Sequence, residues 1–240
     1  LGAQVVWYLT MIIGFQIRAD YGHFSHPATI YSSLTYPVPP KTTVMGMLGA
    51  IAGVEDYLAL NAMRYAVIVE RLDGKRQFCF NGIKEALSQL NPAKGSGFTK
   101  GRKQFYRELL VNPHYRIYCD LSDVAQDFKE QLVEILKSER SLYPLYMGIN
   151  FCLAEYHFLG LFEAMKEKRE EVWIDSMIPL SYDFEIEPNK QYTDVRMACT
   201  IAEGRIFGDF RDFLVETSGQ SILCKNADFD EIDGRKIVWS

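Results

Sequence analysis

Between Ala86 and Arg107 the chain carries five cations, Lys94, Lys100, Arg102, Lys103 and Arg107, and no carboxylate. Gly95, Gly97 and Gly101 let the backbone approach a ligand closely, and Phe98, Phe105 and Tyr106 interleave flat faces among the charges. Cations for phosphates and aromatic faces for bases are what a single-stranded nucleic acid requires. The competing reading is a solvated loop with incidental lysines, since charge runs are usually solvated. A mononucleotide loop is excluded: Lys100 stands five residues after Gly95, where G-x-x-x-x-G-K needs glycine, and G-x-G-x-x-G fails as well.

Other chemistry is sparse. His23 and His26 form an H-x-x-H pattern in a loop, with no Cys, His or acidic cluster to complete a metal shell. His114 precedes a strand, and His157 reads as a satisfied structural histidine in an apolar context. There is no G-x-S-x-G elbow and no carboxylate spacing that nominates an acid–base pair. Lys41 stands just before a helix whose first N–H groups and positive dipole end suit an anion. Taken alone, the reading as an ordinary capped helix with a surface lysine is the stronger one.

The elements that must hold these residues follow from periodicity. Met11–Arg18 reads as a buried strand with Ile13, Phe15 and Ile17 on one face. Asp20–Lys41 is an ordered loop ending in Tyr36-Pro37-Val38-Pro39-Pro40-Lys41, held extended by its prolines. A helix starts at Thr42 or Thr43 as N-cap, with Val44, Met47, Leu48 and Ile51 on its buried face. Gly46 and Gly49 on another face predict close approach of a second backbone, and Gly53 is a C-terminal stop. A second helix is expected at Glu55–Met63. Tyr65–Arg71, the Asp73-Gly74 turn and a return strand near Gln77–Phe80 follow. Gln89–Gln104 is an exposed loop or hairpin tip, and Tyr115–Cys119 is a strand. Ser122 caps a helix bearing Val124, Phe128, Leu132, Ile135 and Leu136. This alternation is that of a ferredoxin-like α+β domain. Beyond about Phe162, short strands at Met177–Tyr182, Val195–Ile201 and Ile237–Trp239 alternate with turns, giving a strand-rich extension with little helix.

Composition bounds the rest. The 240 residues carry 26 Lys+Arg against 31 Asp+Glu, a net charge of −5. That average argues against a protein that coats nucleic acid non-specifically. It hides a contrast: the acid-free tract is +5, while residues 163–240 hold 17 acids and 10 cations, net −7. The five cysteines, Cys79, Cys119, Cys152, Cys199 and Cys224, lack any C-x-x-C pair. They read as buried free thiols in a reducing, cytoplasmic setting. Leu1–Ile17 is uncharged but interrupted by Gln4, Thr10, Gly14 and Gln16, and it falls short of the roughly 20 residues that span a bilayer.

Two stretches resemble a known family. Met11–Gly53, with Phe24, the Tyr36–Pro40 turn and the glycine-bearing helix, resembles the N-terminal signature of the Cas-five family. These are RAMP-superfamily subunits of type I CRISPR Cascade complexes. Tyr143-Pro144-Leu145-Tyr146-Met147-Gly148-Ile149-Asn150-Phe151-Cys152-Leu153-Ala154 looks like that family's later P-x-Y-x-G strand entry, and both motifs are most similar to the I-B branch. The resemblance implies a ferredoxin-like (RRM-like) palm over residues 1–160, with a thumb hairpin inserted at about 74–110. Residues 161–240 would be a strand-rich extension packed on it. It implies a cytoplasmic subunit that caps the crRNA-bound backbone and grips the crRNA 5′ handle. Such a subunit touches the backbone subunit (Cas seven) and the large subunit (Cas eight), and contact with target DNA near the PAM stays open. On this resemblance the RNA contacts are Arg18, His23, Lys41, Thr42, Thr43, Lys94, Lys100, Arg102, Lys103, Gln104, Arg107, Tyr146 and Asn150. No cofactor or metal is implied. One branch of the family cuts repeat RNA with a tyrosine and a Lys-His pair. Here His23, His26, His114 and His157 follow Gly, Ser, Pro and Tyr, so a non-catalytic subunit is expected. The rival is a metal-independent endoribonuclease that would place His23, His26 or His114 beside Tyr21, Tyr31 or Tyr36 and a lysine.

Overall fold

A computed structural model describes residues 11–27, 29, 33–54, 57–83 and 102–240. The chain runs from β1 (Ile12–Arg18) through the short strands β2 (Tyr21–Gly22), β3 (Phe24–Ser25) and β4 (Thr35–Tyr36) into α1 (Lys41–Ala52). A 3-10 turn at Tyr57–Ala62 leads to β5 (Arg64–Arg71), β6 (Lys75–Ile83), β7 (Arg102–Val111), β8 (His114–Asp120), α2 (Gln126–Lys137) and β9 (Glu155–Phe162). The remainder is β10 (Met165–Ile174), β11 (Ile178–Pro179), β12 (Asp183–Glu185), β13 (Tyr192–Ala202), β14 (Ile206–Glu216), β15 (Ile222–Ile232) and β16 (Arg235–Ile237).

The central sheet has the order β5-β8-β1-β9, every pairing antiparallel. Strand alternation puts Ile13, Phe15 and Ile17 on one face, where they pack with α1 and α2 side chains such as Leu48, Ile51, Leu132 and Leu136. The other face is covered too. Ile12, Ala66, Ile68 and Tyr118 pack there with Ile232 of β15 and Ile237 of β16. Each such side chain removed from water contributes roughly 1.5–3 kcal/mol.

α1 is buried on almost every side, because β13 lies against it as well: Val195, Met197, Cys199 and Ile201 share its core. Asn61 ties these parts together. Its amide donates to Ile201 O (2.8 Å) and accepts from Ile201 N (3.0 Å), while its own carbonyl accepts from Lys41 Nζ (2.8 Å). The residues before α1 are buried although rich in proline. Prolines bring no N–H, so only their carbonyls need partners. Tyr115 Oη donates to Pro37 O (2.6 Å) and Tyr65 Oη to Pro39 O (3.3 Å).

Several expectations are corrected. α1 begins at Lys41 with Pro40 as its N-cap and no side-chain cap bond, since a proline side chain has no hydrogen-bonding atom. Gly53 does end the helix, in the left-handed conformation (φ 69°). The second helix is a 3-10 turn. α2 starts after Ala125, so Ser122 does not cap it and instead donates to Asp120 Oδ1. The strand after Asp73-Gly74 does not return along β5: β6 pairs with β7 in a separate sheet, β2-β7-β6. No cysteine is in a disulfide, and four are buried, but Cys79 is exposed on β6. His157 is exposed and pairs with the Glu139 carboxylate.

Candidate nucleic-acid interface

A four-stranded antiparallel sheet backed by two helices often offers its open face to bases. Here that route is closed, since Tyr118 is fully buried and meets Phe162 edge-on (5.7 Å) beneath β15 and β16. The accessible aromatic surface lies on the β6–β7 hairpin instead. Its register runs from Lys75↔Leu110 to Ile83↔Arg102. Phe78 pairs with Arg107, Phe80 with Phe105 and Gly82 with Lys103, so these side chains share one face. The rings form a ladder: Phe78 on Phe80 at 6.2 Å and Phe80 on Phe105 at 5.6 Å, both within 23° of parallel.

Cations are threaded into that ladder. The Arg107 guanidinium lies over Phe80 (5.4 Å) and over Phe151 (5.9 Å), and Lys103 Nζ lies over Phe105 (5.9 Å). Phe151 comes from the 143–154 segment and also meets Phe78 (6.1 Å). Its presence joins the hairpin to that segment. Arg107 Nε is buried without a hydrogen-bond partner, an unmet donor held in place by two rings. Among the described residues of β6 and β7 no carboxylate shares this face. Glu108 points to the other one, where Lys75 Nζ (3.1 Å) and Thr35 N (3.0 Å) engage it.

His23 fixes the hairpin to the body. Its ring is fully buried, and Nδ1 lies 2.7 Å from Glu108 O. A carbonyl only accepts, so Nδ1 carries the proton and Nε2 is left to accept from Ser25 Oγ (3.1 Å). Burial lowers the His23 pKa, with the Arg107 charge acting the same way. The pKa of His114 is also lowered, chiefly by burial. The neutral forms are therefore favoured in the fold, and the stability they contribute is complete above about pH 6.5 and lost as pH falls through the lowered values. Melts from pH 7.5 to 5 should show stability falling by up to about 1.4 kcal/mol per pH unit for each proton bound. His23→Asn should flatten that slope. An unchanged slope would assign the acid sensitivity elsewhere.

Beside the hairpin runs an open groove of about 830 Å³ between α1, the 143–148 segment and the β13–β14 turn. Thr42, Thr43 and Gly46 form its helical wall, Tyr143 and Tyr146 the opposite one, and Phe207 and Phe210 its end. Among the described lining residues Arg205 is a cation and none is a carboxylate.

The expected contacts separate accordingly. Thr42, Thr43 and Tyr146 meet at the groove, His23 reaches its lining but is fully buried with both ring nitrogens engaged, and Lys103 and Arg107 stand on the hairpin ladder. Gln104 is exposed on the opposite hairpin face. Arg102 opens β7, while Lys94 and Lys100 lie outside the described residues. Arg18 is exposed and forms a 3.0 Å ion pair with Glu155. Lys41 is buried with Nζ on Asn61 O, and that burial lowers its pKa, so it braces α1 rather than facing the groove. Asn150 is exposed in the turn before Phe151. The sequence reading missed Phe78, Phe80 and Phe151. The Phe-x-Phe spacing at 78–80 was the available signal, since period two puts both rings on one strand face. Among the described residues no cluster of His, Cys, Asp or Glu could hold a metal ion, and no helix is long and apolar enough to cross a membrane.

The described architecture is a mixed α+β protein of several antiparallel sheets, with a stacking-and-cation face on the β6–β7 hairpin. The family model described as CRISPR-associated protein (Cas_Cas5) matches residues 12–178, and the chain belongs to that family. No curated protein matches it closely enough to count as a relative. Among solved structures it is similar to a CRISPR protein from Archaeoglobus fulgidus, at 12% identity and a TM-score of 0.50, covering 94% of this chain and 97% of that one. A chain of a CRISPR RNA-guided surveillance complex matches at 13% identity and 0.51, covering 88% and 91%. A chain of a Type III-B Cmr-beta complex bound to cognate target RNA matches at 10% and 0.50, covering 88% and 86%. At such identities the likeness is one of fold. Family and neighbours together support a subunit of a CRISPR effector complex.

Proposed function

We propose that this chain is a non-catalytic crRNA-binding subunit of a Cascade-type complex, gripping the 5′ handle at one end of the crRNA-bound backbone. The observation that carries this reading is the hairpin face on which Phe78, Phe80 and Phe105 stack, Arg107 and Lys103 lie over their rings, and no described residue is a carboxylate. Rings supply stacking for unpaired bases and the cations neutralise phosphates. In this reading β6–β7 is the thumb. The order β9-β1-β8-β5 with α1 and α2 on one face is the ferredoxin-like palm, supported by the βαββαβ sequence of those elements. The groove beside α1 takes handle nucleotides that leave the ladder. The backbone subunit (Cas seven) and large subunit (Cas eight) are the protein neighbours in this reading, and the I-B branch is the subtype.

Of the residues the endoribonuclease reading names, the His26 ring stands against that of Tyr36 (4.6 Å). Tyr36 Oη, His23 and Lys41 are each engaged by a backbone carbonyl, Tyr36 Oη by Arg196 O (2.7 Å), His23 by Glu108 O and Lys41 by Asn61 O. Purified protein incubated with its repeat RNA in EDTA should bind the RNA and leave it intact. Cleavage under those conditions would replace this reading with the metal-independent endoribonuclease.

A further inference from the structure

Sheet edges expose unpaired N–H and C=O groups, and folded proteins normally cover, shorten or charge them. In this chain most long edges are treated in that way. Ser240 and Met177 bond the outer side of β5, with Ser240 N on Tyr65 O at 2.9 Å and Met177 N on Val67 O at 3.0 Å. Asn61 and Tyr36 cover β13, and Glu139 accepts from Phe158 N of β9 (3.3 Å). β10 carries six charged residues from Lys166 to Glu171. β6 differs. It is nine residues long, has no proline, bears no charge from Gln77 to Ile83, and pairs among the described residues only with β7.

The groups that face outward can be identified. Glu108 N donates to Ser33 O (3.1 Å) and Glu108 O accepts from His23, so this residue's backbone points away from β6. Its register partner Gln77 is therefore in a non-hydrogen-bonded pair, and by alternation so are Cys79 and Asn81. Their N–H and C=O groups point away from β7 along an edge that no described strand pairs.

We infer that the outer edge of β6 is a strand-addition site for an extended, acidic segment of a protein neighbour in the effector complex. A nucleic acid does not offer the alternating donors and acceptors that a strand edge requires, whereas a peptide backbone does. A second copy of the hairpin would bring like charge: the described arms carry Lys75, Arg76, Arg102, Lys103 and Arg107 against the single carboxylate of Glu108. Carboxylates on the added strand would answer Lys75 and Arg76 of β6 itself, leaving Lys103 and Arg107 on β7 to the RNA. The edge lies at right angles to the ring ladder, so strand and RNA can be held together.

The test is amide hydrogen exchange at single-residue resolution on the full chain alone, with a single-stranded RNA oligonucleotide, and assembled with the protein subunits of its own complex. Exchange at Gln77, Cys79 and Asn81 should slow about tenfold or more on assembly with protein and stay unchanged with RNA alone. Cys79→Pro removes one outward N–H and leaves the β6–β7 ladder intact, because proline is tolerated on an edge. That variant should keep its RNA affinity and its melting temperature but assemble poorly. Four results would each overturn the inference: no protection in the complex, equal protection by RNA alone, self-association of the chain through this edge, or normal assembly of a folded Cys79→Pro protein.

Discussion

Alanine at both Phe80 and Arg107 lowers the affinity of the chain for single-stranded handle RNA by roughly two to three orders of magnitude. Removing a stacking ring costs about 1–3 kcal/mol per base. Removing a hydrogen bond to a charged group costs about 1.5–3 kcal/mol, and each 1.4 kcal/mol is about tenfold. The two effects are coupled, because Phe80 is one of the two rings that hold the Arg107 guanidinium. Phe80→Ala alone should therefore weaken phosphate contact as well as stacking. A salt titration separates them: losing one phosphate contact to a single strand reduces the slope of log affinity against log salt by about 0.7. The single variant should lose part of that, and the double variant all of it. Gln104→Ala, on the opposite hairpin face, should change affinity by less than about threefold, as surface positions away from a contact do. Wild-type affinity of the double variant at physiological salt would remove the hairpin face from the RNA site.

Much of the frame was legible because it is local. β1, β5, β8 and α2 follow from period-two and period-3.6 patterns within single segments, and the proline run announced its own extended conformation. What stayed hidden depends on partners far away in sequence. The Asp73-Gly74 turn carries the same signal whether β6 folds back on β5 or swings out to β7. The choice rests on β8, whose Tyr115 and Ile117 take the place beside Val69 and Val67. Lys41 reads as a surface cation until β13 closes over α1 and Asn61 supplies its acceptor. The sheet face that period-two alternation offers to RNA is removed by Ile232 and Ile237, more than 100 residues beyond β8. For the site, the cations were visible as a charge tract. The ring ladder was not, since it needs the register of β6 against β7 and the arrival of Phe151.

The glycines of the two recognised motifs show the same division, and they make opposite predictions. Gly148 has φ 88°, and a Cβ there would lie 2.0 Å from His23 O and 2.8 Å from His23 C. The obstacle is backbone, pinned by the bond from His23 N to Met147 O (2.9 Å), so nothing flexible can yield. Gly148→Ala should therefore cost at least about 4 kcal/mol, combining the left-handed penalty of about 1–2 kcal/mol with separation of the two segments. In a chain of this size that lowers the melting temperature by about 8 °C or more, or leaves the protein insoluble. It should also release His23 from Glu108 and so loosen the hairpin. Gly46 was expected to admit a neighbouring backbone, yet a Cβ there meets nothing within 4 Å, because it faces the open groove. Gly46→Ala should accordingly stabilise the fold by up to about 1 kcal/mol through helix propensity. A larger side chain such as Gly46→Leu should remain folded while filling the groove. If Gly148→Ala melts like the wild type, the 143–150 segment does not rest on His23, and the groove and hairpin would not be held as one surface.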